Sequence, residues 1–330
     1  MKILLGSHHF FPSTGGIETV SEILAREFIA LGHEVRVVTQ TEGNGSFDFP
    51  VIRRPRPAEL LRLVSWCDIF LQNNISLRTV WPLLFVRRPL FIAHQTWITN
   101  PDGSTGWPHR LKHFVLRFAT SLAISRAIAE QLPGPAIVIG NPYDDQVFKE
   151  FPGESRTKEL IFVGRLVSDK GGSLLLEAMA LLESKPQLTI AGDGPERGQL
   201  EKQMHDLQLR SQVGFIGNQS SENLAKLLNQ HQILVVPSRW KEPFGIVALE
   251  GIACGCVLVG SAEGGLPEAI GPCGMTFPNG DVRALANVLA ELLNNPARRD
   301  TLRHAAGSHL AKFTPRHVAR RYLEAMRTAQ

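Results

Sequence analysis

The sequence predicts an α/β protein with two Rossmann-like domains, each built on a parallel sheet. Short apolar runs of strand length alternate with amphipathic runs of helix length along the whole chain. This alternation is typical of parallel sheets with helices on both faces. Two such series occur, each with its own opening strand, and a stretch rich in Pro, Gly and charge near 141–156 separates them. The 330 residues suffice for two domains of ordinary size.

The first series opens with a predicted strand at 2–7 and an amphipathic helix at 16–31 that Gly32 ends. The apolar face of this helix follows the helical period. It consists of Ile17, Val20, Leu24, Phe28 and Leu31. The other predicted strands of this series are 34–39, 67–72, 89–94, 121–124 and 136–139.

The second series begins at Lys158 and repeats the pattern. Its predicted strands are 159–164, 187–191, 212–216, 232–236 and 256–260. Its predicted helices are 173–183, 196–207, 221–229, 245–254, 281–294 and 297–311. A last helix, at about 315–328, lies beyond what the second sheet needs.

Composition indicates a globular, cytoplasmic protein. Hydrophobic residues make up 43% and charged residues 20% of the chain, which excludes a disordered polymer. No apolar run reaches the roughly 18 residues that span a bilayer. Residues 1–6 are too short for the apolar part of a signal peptide and fit a first strand. The four cysteines form no C-x2-C pair, so we expect buried thiols in a reducing compartment.

The net charge of +4 does not by itself indicate a nucleic-acid partner, but basic residues are concentrated in the first half of the chain. Eleven basic and four acidic residues lie between Arg53 and Glu130. This excess is either a solvated basic face or a surface for an anionic partner. Together with Trp81, Trp97 and Trp107, it suggests peripheral contact with the inner face of a membrane, or a lipid-linked or phosphorylated acceptor.

The most informative segment runs from Glu242 to Glu250 and places two carboxylates on about the same side of a helix start. Glu242 precedes the helix, and Glu250 lies two turns along it. The first amides of a helix, here those of Phe244, Gly245 and Ile246, have no intrahelical acceptor. Carboxylates that accept from hydroxyls and amides that donate can together hold a polyhydroxylated, anionic ligand.

Two further loops carry groups that suit a diphosphate. Gly164, Arg165 and Lys170 follow the first strand of the second series, where the two cations can converge on one anion. Gly15 and Gly16 lie between the first strand and first helix, where glycine permits close approach of backbone to phosphate. Each of these loops alone is more often structural.

His94 ends the apolar strand at 89–94 of the first series. A lone histidine at a strand end is more often structural. In an open α/β sheet, however, ligands bind beyond the carboxyl ends of the strands. We therefore include His94 among the candidate site residues.

The chain resembles the retaining glycosyltransferases of family 4, which have the GT-B fold. The resemblance is carried by Pro12-x-x-Gly15-Gly16-x-Glu18, by Val163–Gly171, by Glu242–Glu250 and by Gly264-Gly265-Leu-Pro-Glu268. It implies two Rossmann-like domains that face each other across a cleft. It also implies an acceptor-binding domain at 1–145, a nucleotide-sugar-binding domain at 146–314 and a helix at 315–330 that returns to the first domain.

The resemblance further implies transfer of a hexose-type sugar from a nucleotide diphosphate sugar to an acceptor hydroxyl, as in bacterial polysaccharide or glycolipid synthesis. Arg165, Lys170, Gly15 and Gly16 would then hold the diphosphate, and Glu242 with the amides of Phe244 to Ile246 would hold the sugar. Glu250 would hold the ribose, and His94 would lie beside the donor sugar. The catalytic residues would then be Arg165, Lys170, Glu242 and His94. UDP is the first choice of nucleotide and GDP, as GDP-mannose, the second.

We expect no cofactor and no metal, because the sequence contains no D-x-D pattern and because Arg and Lys can supply the positive charge that Mg²⁺ would. Two alternatives stay open. One is another enzyme with the GT-B fold, such as an epimerase or a phosphorylase. The other is a relative that binds nucleotide sugars and has lost catalysis.

Overall fold

The computed structural model describes residues 1–12, 15–98 and 106–328, except the side chains of Pro108 and His109. The chain divides into two compact units. One contains Met1–Pro142 together with Pro315–Gln330, and the other contains Tyr143–Thr314. Each unit has one sheet in which every pair of neighbouring strands is parallel, so the predicted α/β class with two Rossmann-like domains is confirmed.

The sheet of the first unit has seven strands in the order β3-β2-β1-β4-β5-β6-β7. Its strands are β1 (Lys2–Ser7), β2 (Glu34–Thr39), β3 (Val51–Arg53), β4 (Ile69–Asn73), β5 (Leu90–His94), β6 (Ala119–Ala123) and β7 (Ala136–Val138). Its helices up to the boundary are α1 (Gly16–Ala30), α2 (Pro57–Trp66), α3 (Leu77–Val80), α4 (Trp107–Leu116) and α5 (Arg126–Ala129), and a 3₁₀ turn spans Trp81–Leu84.

The sheet of the second unit has six strands in the order β10-β9-β8-β11-β12-β13. Its strands are β8 (Lys158–Val163), β9 (Leu188–Ala191), β10 (Val213–Gly217), β11 (His231–Val236), β12 (Val257–Ser261) and β13 (Gly274–Phe277). Its helices are α6 (Gly172–Ala180), α7 (Arg197–Asp206), α8 (Ser221–Gln230), α9 (Ile246–Ala253), α10 (Leu266–Ile270), α11 (Val282–Asn294), α12 (Pro296–His304) and α13 (Ala306–Leu310), and 3₁₀ turns span Ser168–Lys170 and Gly271–Cys273.

Apolar side chains of the strands and of the helix faces form the cores. In the second unit Phe162 and Val235, from neighbouring strands, pack with Leu175 of α6 in one buried cluster. In the first unit Phe70 and Ile92 pack with Leu63 of α2. Full burial of such a side chain stabilises the fold by about 1.5–3 kcal/mol. The four cysteines are free and buried, as predicted.

The final helix, α14 (Pro315–Thr328), belongs to the compact unit that contains the N-terminus. It packs on α1, where the rings of Tyr322 and Phe28 lie 6.4 Å apart. Tyr322 is fully buried, and Arg321 donates to the carbonyl of Val138 at 3.3 Å. The last segment of the chain therefore completes the core of the first unit.

One predicted element is wrong. The single helix expected at 297–311 is two helices, α12 and α13, that meet at Ala305. The break has a packing reason. It lets the ring of His309 reach the carbonyl of Ala269 at 2.8 Å and cover Gly271, where an added Cβ would meet the His309 ring at 2.3 Å. The sequence prediction also missed β3 and β13, which have three and four residues.

Candidate functional site

The candidate site of the second unit lies where the strand order reverses, between β8 and β11. These strands are neighbours, with Leu160 opposite Ile233 in the register. The chain that leaves β8 goes to one side of the sheet and the chain that leaves β11 goes to the other. In open α/β sheets the crevice beyond the carboxyl ends at such a point is where ligands bind. The loops at 164–171 and 237–245 border this crevice.

Backbone contacts lock these two loops together. The carbonyl of Asp169 accepts from the amides of Arg239 at 2.8 Å and Trp240 at 3.3 Å. Gly171 has φ +72°, and a Cβ at this position would lie 1.9 Å from the carbonyl oxygen of Pro237. Only glycine fits a left-handed conformation with so close an approach. These contacts therefore fix the position of the loop after β8 relative to the loop after β11.

This arrangement brings Lys170 onto Glu242. Lys170 Nζ donates to Glu242 Oε1 at 2.6 Å, and Ser238 Oγ donates to the same oxygen at 2.7 Å. Glu242 is only 8% exposed, whereas the Lys170 side chain is 37% exposed. Within the described part of the chain Oε2 of Glu242 takes no hydrogen bond, so one carboxylate oxygen stays available to a hydroxyl donor.

The backbone of Glu242 is fixed by the loop after β12. Glu242 forms a parallel bridge with Gly264, and the amide of Gly265 donates to the Glu242 carbonyl at 2.7 Å. Gly264 has φ +82°, and a Cβ there would lie 2.3 Å from that carbonyl oxygen. The two glycines are thus needed to hold the backbone of Glu242 in place. This gives a physical reason for the Gly264-Gly265 motif, which the sequence analysis had identified only by resemblance.

At the start of α9 the side chains pack inward, so the backbone amides are the groups that a ligand could contact. Phe244 is 2% exposed, and its ring packs 5.6 Å from that of Phe313. Gly245 has φ +98° and lies against Leu266, where a Cβ would meet the side chain at 2.6 Å. Ile246 then begins the helix. These residues are therefore expected to bind a ligand through their backbone amides, as the sequence analysis proposed.

Glu250 lies on α9 and is half-buried. Burial, followed by the charge of Asp144, raises the pKa of its carboxyl to about 7. Glu250 has no side-chain hydrogen bond or ion pair to the residues that the structure describes. A carboxyl in this state would be stabilised in its ionised form by hydroxyl donors.

Gly164 and Arg165 follow β8 directly. The Gly164 amide donates to Ala191 at 3.1 Å, and Gly192 packs so closely that a Cβ would lie 1.9 Å from the Gly164 carbonyl oxygen. Arg165 is exposed, and its guanidinium makes no hydrogen bond or ion pair within the described ranges. The structure therefore joins Lys170, Ser238 and Glu242 and leaves Arg165 free in solvent.

In the first unit Gly15 and Gly16 form the N-terminus of α1, and both are exposed. Gly15 is extended, and its carbonyl accepts from the amide of Thr19 at 3.2 Å and from its hydroxyl at 3.1 Å. Residues 13 and 14 of this motif lie outside the described residues. The geometry suits an exposed anion-binding turn, and the assigned role stays a prediction.

His94 ends β5 and is 1% exposed. Its Nε2 lies 3.2 Å from Ser121 Oγ, and burial lowers the pKa of the ring to about 4. The imidazole is therefore neutral near pH 7, a weak base that can form hydrogen bonds. Its predicted position beside the donor sugar stays a prediction.

Ser238 is the member of this cluster to which the sequence analysis assigned no role. It is fully buried, and its hydroxyl is the second donor to Glu242. Its own carbonyl accepts from Ser261 Oγ at 2.6 Å and from Asn279 at 3.2 Å. The available signal was a polar residue directly after the apolar strand, four positions before Glu242. No group of three or more His, Cys, Asp or Glu within the described ranges could hold a metal ion.

The family model described as glycosyl transferases group 1 matches residues 144–309, which is half of the chain. The chain therefore belongs to this family, as the sequence resemblance predicted.

An uncharacterised glycosyltransferase of Methanocaldococcus jannaschii, MJ1607, is 43% identical over 115 residues, or 34% of this chain and 29% of that protein. D-inositol 3-phosphate glycosyltransferase of Mycolicibacterium paratuberculosis is 32% identical over 206 residues, or 60% of this chain and 46% of that protein. The chain thus matches less than half the length of these two relatives.

A solved structure gives the fold. The crystal structure of Anabaena Alr3699/HepE in complex with UDP and glucose superposes with a TM-score of 0.83 at 21% identity, covering 99% of this chain and 100% of that chain. At this identity the likeness concerns the fold alone, and it confirms the predicted GT-B fold.

Proposed function

We propose that the protein is a glycosyltransferase that moves a sugar from a nucleotide diphosphate sugar to an acceptor hydroxyl. The observation that carries the proposal is the Lys170–Glu242–Ser238 cluster, which lies at the strand-order reversal of a domain that belongs to the glycosyl transferases group 1 family. The printed names of the relatives, and the UDP and glucose bound by the Anabaena protein, support a nucleotide-sugar donor.

Each residue of the second unit takes a role that its geometry permits. Lys170 and the free guanidinium of Arg165 bind the leaving diphosphate, and Gly164 admits it close to the backbone. Glu242 Oε2 and the amides at the start of α9 bind the sugar hydroxyls, and Glu250 binds the ribose. The positive charges of Lys170 and Arg165 stabilise the negative charge that develops on the leaving group. Arg165, Lys170 and Glu242 thus contribute to catalysis, and Gly15, Gly16 and His94 keep their predicted roles.

Transfer is proposed to retain the anomeric configuration and to need neither a metal nor a cofactor. In this mechanism a phosphate oxygen of the donor accepts the proton of the acceptor hydroxyl, so no side-chain nucleophile is required. Support comes from Lys170 and Arg165 in the loop after β8, two cations that can supply the charge that Mg²⁺ gives to other transferases. Activity that EDTA abolishes would contradict metal independence.

A thermal-shift panel tests the donor class. UDP, GDP, ADP and dTDP, with their sugar conjugates, are added to the protein in the presence of EDTA. A ligand at about 100 times its Kd stabilises the folded state by about 2.7 kcal/mol, so the true donor should raise Tm clearly. We expect the uridine series to do so, with GDP-mannose as the second candidate. No shift with any nucleotide would contradict the proposal.

Three other functions make different predictions. An epimerase would convert the nucleotide sugar without releasing nucleotide. A phosphorylase would consume phosphate and would release no nucleoside diphosphate when acceptor is added. A non-catalytic relative would bind nucleotide and release nothing. Detection of free nucleoside diphosphate after acceptor addition therefore separates all three from a transferase.

We predict that nucleotide-sugar binding releases a proton from Glu250. The carboxyl is protonated below about pH 7 in the free protein, and ribose hydroxyls donate to its ionised form. Affinity for UDP-glucose should therefore fall as the pH drops below about 7, by up to about tenfold per pH unit. Calorimetry in two buffers of different ionisation enthalpy measures the proton released. Glu250→Gln should abolish this coupling, and equal proton release in that variant would contradict the assignment.

We also propose that the first unit touches a membrane through one edge of its sheet. Strands β5 and β6 are parallel neighbours, with Leu90 opposite Ala119, so the residues that precede them lie at the same edge. Exposed apolar side chains and exposed arginines both occur there. This aromatic edge consists of Leu84, Phe85, Phe114 and Phe118, which are 82%, 75%, 54% and 72% exposed, and of Arg87 and Arg117.

An aromatic edge of this kind suits an anionic leaflet, since aromatic rings enter the headgroup region and each nearby arginine contributes about 1 kcal/mol. It lies at the amino ends of the strands, away from the carboxyl ends where ligands bind. Such contact fits a cytoplasmic enzyme at the inner face of a membrane that acts on lipid-linked glycans. No helix among the described residues is long and apolar enough to cross a bilayer.

Vesicle sedimentation tests the aromatic edge. Phe85→Ser combined with Phe118→Ser should weaken binding to vesicles that contain phosphatidylserine by about tenfold or more, because two exposed rings are lost. Leu181→Ser is the matched control, since Leu181 is 54% exposed on the other unit. Binding that is equal on neutral and anionic vesicles, or unchanged in the double variant, would refute the proposal.

A further inference from the structure

An open pocket of about 620 Å³ lies within the first unit, at the carboxyl edge of its sheet. Its walls come from segments that follow four neighbouring strands: His8 and His9 after β1, Thr41 and Glu42 after β2, Arg54 after β3 and Arg78 in α3 after β4. The volume suits a small polar molecule such as a substituted monosaccharide.

Among the described residues, the pocket contains one paired arginine, Arg54, and one unpaired arginine, Arg78. Arg54 pairs with Glu42, and its Nε donates to the Gln40 carbonyl at 3.1 Å, so this pair is internally balanced. Arg54 also has φ +46°, which is unusual for a residue with a side chain. Arg78 is exposed and makes no hydrogen bond or ion pair to the residues described. Its guanidinium is therefore an uncompensated positive charge.

Two histidines lie beside this charge. The rings of His8 and His9 meet edge to face with centroids 4.7 Å apart. Burial, followed by the charges of His9 and Arg78, lowers the pKa of His8, which indicates that these three side chains are close together. An anion in the pocket would be attracted by Arg78 and could accept hydrogen bonds from Arg78 and from both imidazole rings.

The chain segments around the pocket are joined by residues other than Arg78. Arg53, the neighbour of Arg54, donates to the Thr41 carbonyl at 3.0 Å and so holds the β2 and β3 ends together. The Thr41 hydroxyl accepts from the Phe10 amide at 3.0 Å and holds the β1 end. Arg78 holds no segment in place. Its guanidinium is therefore available to a ligand.

We propose that this pocket binds the phosphate group of a phosphorylated sugar or polyol, which is the acceptor of the transfer reaction. Arg78 binds two phosphate oxygens as a fork, and His8 and His9 donate to the third. The Gln40 side chain and Oε2 of Glu42, which make no hydrogen bond to the residues described, are available to the hydroxyls. The assignment rests on the proposed function, because it names the acceptor chemistry of the same enzyme.

The test is a titration of the whole protein with inorganic phosphate, and then with glucose 6-phosphate and glycerol 3-phosphate. Saturating UDP is present throughout to occupy the proposed nucleotide site. Side-chain NMR signals of His8 and His9 report the binding. We expect millimolar or tighter binding of at least inorganic phosphate, about tenfold weaker in Arg78→Gln. Arg62→Gln, at an exposed position of α2 outside the pocket, should not change it.

A second variant should change the affinity for phosphate in the opposite direction. Glu42→Gln removes the negative charge of the pocket and releases Arg54, so phosphate should bind several-fold more tightly. UDP binding should be unchanged in both variants, so a failure here is distinguishable from a failure of the proposed nucleotide site. Absence of phosphate binding, or binding that Arg78→Gln leaves intact, would overturn the proposal. Binding only to phosphate on vesicles of phosphatidic acid would also overturn it.

Discussion

Replacing Lys170 with Met is expected to lower kcat for nucleotide release from the donor sugar by about 100- to 1000-fold. The ammonium group lies 2.6 Å from Glu242 Oε1, at the carboxyl edge of the sheet, where it can contact a leaving diphosphate. The charge on this leaving group is largest in the transition state, so the lost interaction should affect kcat more than KM. Steady-state kinetics with the nucleotide sugar found by the thermal-shift panel measure both constants.

Two control variants distinguish a catalytic role of Lys170 from a nonspecific effect of the substitution. Lys170→Arg keeps the charge and should retain part of the activity. Lys241→Met removes a nearby charge that is 62% exposed and paired with Glu263, and it should leave kcat within about twofold of the original value, as expected for an exposed pair. Lys170→Met also removes one of the two hydrogen-bond donors to Glu242, so its Tm should be compared as well. An unchanged kcat in Lys170→Met would show that Lys170 has no catalytic role.

The sequence predicted those features that depend on local pattern. The strands that open the two sheets and the helix at Val282–Asn294 follow directly from apolar periodicity, and the start of α9 follows from the residues around Gly245. Short elements such as Val51–Arg53 escaped because three residues carry too little periodicity, and pairing with a neighbouring strand defines them.

The composition of the site depends on contacts that no local pattern encodes. Lys170 and Glu242 lie 72 positions apart and meet because β8 and β11 are neighbours in the sheet. Ser238 completes the cluster only because the loop after β11 turns back on itself. His94 likewise contacts Ser121 because β5 pairs with β6, and the sequence around His94 does not reveal this pairing.

The second large effect is expected on stability, from Gly171→Ala. Two costs combine at this position. The left-handed backbone at φ +72° costs a residue with a Cβ about 1–2 kcal/mol, and the Cβ would lie 1.9 Å from the Pro237 carbonyl oxygen, which cannot yield without moving the loop after β11. We expect a loss of about 3–5 kcal/mol in the free energy of unfolding, measured by urea denaturation.

Gly280→Ala provides the matched control for this prediction. Gly280 has φ +79°, and an added Cβ there meets nothing within 4 Å, so only the backbone cost of about 1–2 kcal/mol applies. The difference between the two variants isolates the contact with Pro237. Because that contact sets the position of Lys170 against Glu242, Gly171→Ala should also lose activity under conditions where it is still folded, and Gly280→Ala should not. Equal destabilisation by the two substitutions would mean that the loops after β8 and β11 can separate freely, and Lys170 would then not be held on Glu242 by the fold.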